Sequence, residues 1–184
     1  ELIGNGKSSR ALVQKGRLGV LQEITAAGQA FTVFDEDNHP LPEARAWLGG
    51  REFTPDSKGR LLIPYSTNPG RETLVIQANG FASLVRFTHL LEQYSLQAGF
   101  YLDREALLRR EKAQLALRPV LRVNGRPASL KLLEESRLVI RATDLHGVAT
   151  EKEIANLALR DNSETIQEFA VPENLSSVTV TLKA

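Results

Sequence analysis

The sequence predicts an all-β protein built of two consecutive antiparallel β-sandwiches, on three observations. First, residues 31–85 read as one run of short apolar-alternating segments broken every few positions by Asp, Asn, Pro and Gly. That is the punctuation of strands joined by tight turns. Second, the other half repeats the style, with alternation at Ala113, Leu115 and Leu117, at Leu138, Ile140 and Ala142, and at Val178, Val180 and Leu182. Third, the dipeptides Gly49-Gly50, Asn79-Gly80 and Asn124-Gly125 stand where such segments meet. They suit two-residue hairpin loops, whose favoured turns need positive φ at the central positions.

In chain order, residues 1–16 are polar and Gly-rich, a loose lead-in with one strand expected near Leu12 and Val13. Leu18, Val20, Gln22 and Ile24 keep a period of two and predict a half-buried strand. The next strand, 31–34, enters a polar turn at 35–42 whose two prolines cannot donate to a ladder. Over 43–48, Ala44, Ala46 and Leu48 share one face and Arg45 and Trp47 the other. A return strand is expected over 51–54, a turn over 56–59, a short strand over 61–64, a turn at 68–70, and a hairpin pairing 73–78 with 81–87. Leu84, Phe87, Leu91 and Tyr94 also fit helical spacing, so 84–93 reads either way. Tyr94, Leu96, Ala98, Phe100 and Leu102 then make a clean nine-residue strand. The domain boundary is placed just before it, giving a lead-in over 1–16, a first sandwich over 17–91 and a second over 92–184. Residues 103–112 (DREALLRREK) are rich in helix formers and predict one helical turn or a charged crossover. Further strands are expected over 113–117, 120–123, 138–142, 166–171 and 178–182.

Length agrees with this division. The 184 residues, 20.3 kDa, suffice for two domains of about 90 residues, the size of an immunoglobulin-like sandwich. An apolar share of 42% supports a packed core rather than disorder. Basic and acidic residues number 23 and 22, a net charge of +1, which argues against a whole-surface attraction to nucleic acid or anionic membrane. The chain has no cysteine, which excludes disulfides, zinc–thiolate sites and cysteine nucleophiles. It has no methionine and opens on Glu1, with no signal-peptide core and no apolar run of membrane-spanning length. We therefore expect modules excised from a larger extracytoplasmic protein, whether periplasmic, secreted or at the cell surface.

Part of the first half resembles the carboxypeptidase regulatory-like (transthyretin-like) sandwich family. The residues that carry this are FTVFD at 31–35, PLPEA at 40–44, TPDSKGRLLIP at 54–64, LVI at 74–76 and Gly80-Phe81. Pro55 departs from the pattern. The second half is similar to macroglobulin-type sandwich domains of bacterial α2-macroglobulin-like proteins, on FYLD at 100–103, the alternation of 113–117, PASL at 127–130 and DLHGV at 144–148. The thioester of that family needs a cysteine and is absent, so this resemblance implies scaffold modules only.

The candidate sites are few. Asp35, Glu36, Asp37 and Asn38 offer clustered oxygens for a hard cation, but they lack the glycine and distal glutamate of an EF-hand, and such residues commonly populate turns. His39, His89 and His146 have no metal-ligand spacing. Asp144 and His146 would share a strand face, yet no G-x-S-x-G elbow supplies a nucleophile. Arg104, Arg109, Arg110, Lys112, Arg118, Arg122 and Arg126 form a basic stretch diluted by Glu105 and Glu111. It has no aromatic between Tyr101 and Phe169, and reads as a charged edge that resists aggregation rather than a nucleic-acid site. Trp47, with Arg45, is the candidate ligand or partner contact, although burial of large aromatics favours a core tryptophan. The expected function is non-catalytic, with no cofactor and no metal. Its partners would be neighbouring domains of a larger chain or another protein, without nucleic acid or membrane insertion. The alternative is a carbohydrate-binding module using Trp47.

Overall fold

The computed structural model describes residues 2–4, 7–9, 16–108 and 112–184. Its contacts divide the chain into two compact units, Glu1–Glu92 and Gln93–Ala184. Almost all regular structure is antiparallel β, as the turn-dense sequence predicts.

In the first unit a short hairpin pairs β1 (Leu2–Gly4) with β2 (Lys7–Ser9). Sequence reading took this polar stretch for loose coil because it has no apolar alternation. The strand expected near Leu12 and Val13 lies outside the described residues. Seven further strands follow: β3 (Gly19–Thr25), β4 (Gly28–Phe34), β5 (Arg45–Leu48), β6 (Arg51–Phe53), β7 (Arg60–Ile63), β8 (Gly70–Ala78) and β9 (Phe81–His89). They form two sheets, ordered β3-β4-β7 and β6-β5-β8-β9. Phe31, Val33, Leu61 and Ile63 from the first sheet meet Ala46, Leu74 and Ile76 from the second in one buried cluster. Phe31 and Phe87 close it edge to face, ring centroids 5.2 Å apart.

The second unit opens with β10 (Tyr94–Leu102) and one helical turn, α1 (Arg104–Leu108), where Asp103 accepts the N–H of Glu105 at 3.0 Å. Then come β11 (Lys112–Val123), β12 (Arg126–Ala128), a 3₁₀ turn at Leu130–Leu132, β13 (Arg137–Asp144), β14 (Ala149–Ile154), β15 (Thr165–Ala170) and β16 (Leu175–Lys183). β10, β11, β12 and β15 make one sheet, and β14-β13-β16 the other. Leu115, Leu117 and Phe169 pack with Leu138 and Ile140 between them.

Where sequence reading expected separate strands over 113–117 and 120–123, β11 runs unbroken through Pro119. The reason is local. On the flank away from β10, β11 pairs with β15 only up to Leu117 and with β12 only from Leu121. Pro119 sits in the gap, where a missing N–H disturbs no ladder.

The turns show why the strands reverse where they do. Asn79-Gly80 (φ 49 and 76) and Asn124-Gly125 (φ 46 and 78) are two-residue hairpin turns with positive φ at both positions. A second device recurs three times, at 35–39, 56–60 and 144–148. In each, Asp Oδ1 accepts the N–H groups of the residues two and four positions on: Asp37 and His39, Lys58 and Arg60, His146 and Val148. The fourth residue, Asn38, Gly59 or Gly147, takes the positive φ that closes the loop.

Candidate interaction surface

β5 alternates across its sheet. Ala44, just before it, and Ala46 are buried, Arg45 is exposed, and Trp47 is half-buried on the solvent side. Trp47 is therefore not the core tryptophan that its size suggested. Small alanines face the core, because the large side chains of β4, β7 and β8 already fill it. Register sets Trp47 beside Glu52 on β6 and Val75 on β8, and Val75 beside Leu84 on β9. Leu84 is 70% exposed. An apolar row, Trp47–Val75–Leu84, thus crosses the outer face of this sheet.

Arginines flank the row. Arg45 lies one row to one side, opposite Gln77. Its guanidinium meets Glu52 at 3.0 Å, an exposed pair worth at most about 1 kcal/mol. Arg86, opposite Thr73, and Arg71, opposite Thr88, lie to the other side. Neither makes an ion pair among the described residues. Beside Trp47 is a shallow polar depression lined by Glu43, Arg45, Gln77 and Asn79. Sequence analysis found Trp47 and Arg45 but missed Val75, Leu84 and Arg86. Leu84 and Phe87, three apart, also fit helical spacing, so the stretch read either way, whereas the register turns Leu84 outward and Phe87 inward. Period two over 82–88, taken with the opposite phase of 74–78, was the available signal.

The other candidates fall into turns. Asp35, Asp37 and His39 bring ligating atoms within 4.8 Å of one another. Asp35, however, already accepts two backbone N–H groups and faces His39 Nδ1 at 3.4 Å. The N–H of His39 is the largest influence holding the Asp35 carboxyl below its usual pKa, opposed by partial desolvation. The N–H of Arg60 does the same for Asp56. Glu36 lies in the same exposed loop. Asp144 Oδ1 accepts the backbone N–H groups of His146 and Val148, and His89 Nε2 lies 2.8 Å from the Pro64 carbonyl. Of the basic stretch, Arg109 and Arg110 lie outside the described residues, while Lys112 and Arg118 are exposed on β11. Among the described residues no helix is long and apolar enough to cross a membrane.

Comparison with known proteins bears on both units. Residues 103–184 match the family model described as the AbpF third immunoglobulin-like domain. The whole chain aligns, over 191 residues at 35% identity, with Actin-binding protein F of Dictyostelium discoideum. It spans 8% of the length of that relative. With the all-β architecture, the match supports two immunoglobulin-like β-sandwiches. It also overturns one expectation. The relative is named for binding actin, a filament of the cell interior, and this finding overturns the expected extracytoplasmic placement.

Proposed function

We propose that this chain is a non-catalytic protein-interaction module, two immunoglobulin-like sandwiches that serve a longer polypeptide, and that it docks its partner on the outer face of β6-β5-β8-β9. The observation that carries the reading is the row Trp47–Val75–Leu84 flanked by Arg45, Arg71 and Arg86. A patch of aromatic and aliphatic side chains rimmed by arginine has the composition of protein interfaces, and tryptophan and arginine dominate their energetics. The partner class comes from the relative's name: actin filaments. Within this reading the first unit is of the carboxypeptidase regulatory-like type, supported by motifs that fall on β4, the Asp56 turn, β7 and the β8–β9 hairpin.

Co-sedimentation of the purified chain with actin filaments tests it. Trp47→Ala and Leu84→Ser, both on the solvent face, will each weaken binding by about thirty-fold or more if they are central contacts, the effect of a loss of ~2 kcal/mol. Arg86→Glu will weaken it and lower its salt dependence. Wild-type chain that stays in the supernatant overturns actin as partner, and wild-type affinity in all three variants overturns the face. A sugar ring stacked on Trp47 is the second reading, favoured by the polar depression beside it. A Trp47 fluorescence shift with a polysaccharide, absent with actin, would select it.

A further inference from the structure

On the outer face of the β8–β9 hairpin, strand register sets Arg71 opposite Thr88 and Thr73 opposite Arg86. All four are exposed. Glu72 and Phe87, paired between them, belong to the opposite phase, in which Phe87 is buried against Phe31. The four outward side chains therefore stand at the corners of a square, and the backbone of the 72–87 pair is its floor. These six residues line one depression. The guanidiniums hold diagonal corners, roughly 7–8 Å apart at Cα, and the hydroxyls hold the other two. Among the described residues none of the four side chains has a hydrogen-bond or ion-pair partner. Glu52, on the same face of the sheet, is already engaged by Arg45 at 3.0 Å. Two uncompensated positive charges thus converge on one well. The well is also preformed. From the core side Gln29 donates to the Thr88 carbonyl at 2.9 Å, and Phe87 packs edge to face on Phe31. Floor and corner are fixed before a ligand arrives, which lowers the ordering cost of binding.

We propose that this well binds a phosphate group, carried on a phosphorylated side chain of the partner protein. Charge complementarity selects an oxyanion, because two unpaired guanidiniums face solvent with no carboxylate beside them. Shape selects phosphate over carboxylate. A carboxylate offers two oxygens in one plane and is satisfied by a single guanidinium fork. A phosphate carries up to two charges and three strong acceptor oxygens in a tetrahedron, so it can meet forks at two corners and hydroxyls at the others. Continuity with the apolar row selects a protein as the carrier. Val75 and Leu84 are the next outward pair after Thr73 and Arg86, so an apolar residue adjoining the phosphorylated one lies across them. A lipid headgroup fits less well, since 23 basic against 22 acidic residues give the chain no broad excess of positive charge to hold an anionic membrane. The carrier, though not the well, rests on the docking face proposed above. Phosphorylation of the partner then strengthens docking on this face.

NMR titration of the full chain with inorganic phosphate, at ionic strength held constant with chloride, reads the well directly. Saturable shifts are expected at the amides of residues 71–73 and 86–88. Arg71→Gln and Arg86→Gln, both at exposed positions, will each weaken binding about five-fold. Arg118→Gln, exposed on β11, is the control. No saturable shift, or equal losses in all three variants, overturns the well, and an equal response to acetate overturns the choice of phosphate. A second titration tests the carrier, using a peptide with phosphoserine next to leucine, its unphosphorylated form, and phosphatidylcholine vesicles containing phosphatidylinositol phosphate. The phosphopeptide is expected to bind tightest and to weaken with Leu84→Ser. Preference for the vesicles, or phosphopeptide binding indifferent to Leu84→Ser, overturns the protein carrier. Absence of actin co-sedimentation with an intact phosphate titration overturns actin as partner and leaves the well standing, so the two failures are distinguishable.

Discussion

Replacing Gln29 by leucine tests what joins the two sheets of the first unit. Gln29 lies on β4 and is fully buried. Its Nε2 donates to the carbonyl of Thr88, and its Oε1 accepts the N–H of Leu90, both at 2.9 Å. Thr88 is on β9 and Leu90 follows it, so one amide bridges from the β3-β4-β7 sheet to the edge of the other. Leucine nearly matches glutamine in volume, so the cavity contribution is small and the loss is polar. Two hydrogen bonds are worth about 1 kcal/mol each, and a partner left unsatisfied adds ~1–3 kcal/mol. Thr88 is exposed and its carbonyl regains water, whereas Leu90 is half-buried and its N–H bears most of the penalty. The expected loss is ~3–5 kcal/mol, a large part of the ~5–15 kcal/mol that holds a domain.

Urea unfolding followed by tryptophan fluorescence measures it cleanly. Trp47 is the only tryptophan and sits on β5, in the unit that holds Gln29. With a slope of about 1 kcal/mol per molar urea for a unit of this size, the midpoint will fall by ~3–5 M. A shift under about 0.5 M would refute the bridging role. Gln29→Glu adds a pH signature. A carboxyl in this dry site has its pKa raised, and only the protonated form can both donate to Thr88 and accept from Leu90. The variant's stability is therefore fully present below the unfolded value of about 4.3 and is lost as pH rises through the raised folded value. A penalty independent of pH would contradict this.

Leu74→Ala, at a fully buried site, will cost ~2–5 kcal/mol in the same assay. Gly147→Ala will cost about 1 kcal/mol. Its φ is 80 and an added Cβ meets nothing within 4 Å, so the penalty is conformational alone. The Asp56 and Asp35 carboxyls will titrate by NMR below 3.8. Both are depressed by hydrogen bonds, so their contribution is present above the unfolded pKa and is lost as pH falls through the folded one. Asp56→Asn will flatten that acid limb.

The fold was largely readable because turns and alternation are local. Asn79-Gly80 and Asn124-Gly125 dictate hairpins whatever surrounds them, and the nine-residue alternation from Tyr94 has no helical rival. What escaped depended on neighbours. β14, ATEKEI, has no apolar phase, and only its pairing with β13 makes it a strand. Pro119 looked like a break until the partner change beside it was known. Trp47 illustrates the limit for the candidate surface. Its phase opposite Ala44 and Ala46 was visible, but the row it forms depends on registers with β8 and β9 that no local pattern encodes.

An interaction module is harder to read than an enzyme for a related reason. Catalysis demands particular groups, and their absence or spacing can be checked in sequence. Association through strands demands only that an edge lack its usual protection, and that becomes visible by comparing strands within one molecule. β14 has three charges in six residues and β10 none in nine. Both are edges of their sheets. A strand that must only avoid other chains gains from charge, while one that must be covered would have to desolvate that charge, at a cost of several kcal/mol. The row proposed as the docking face of the first unit differs again, with an apolar centre and a charged rim.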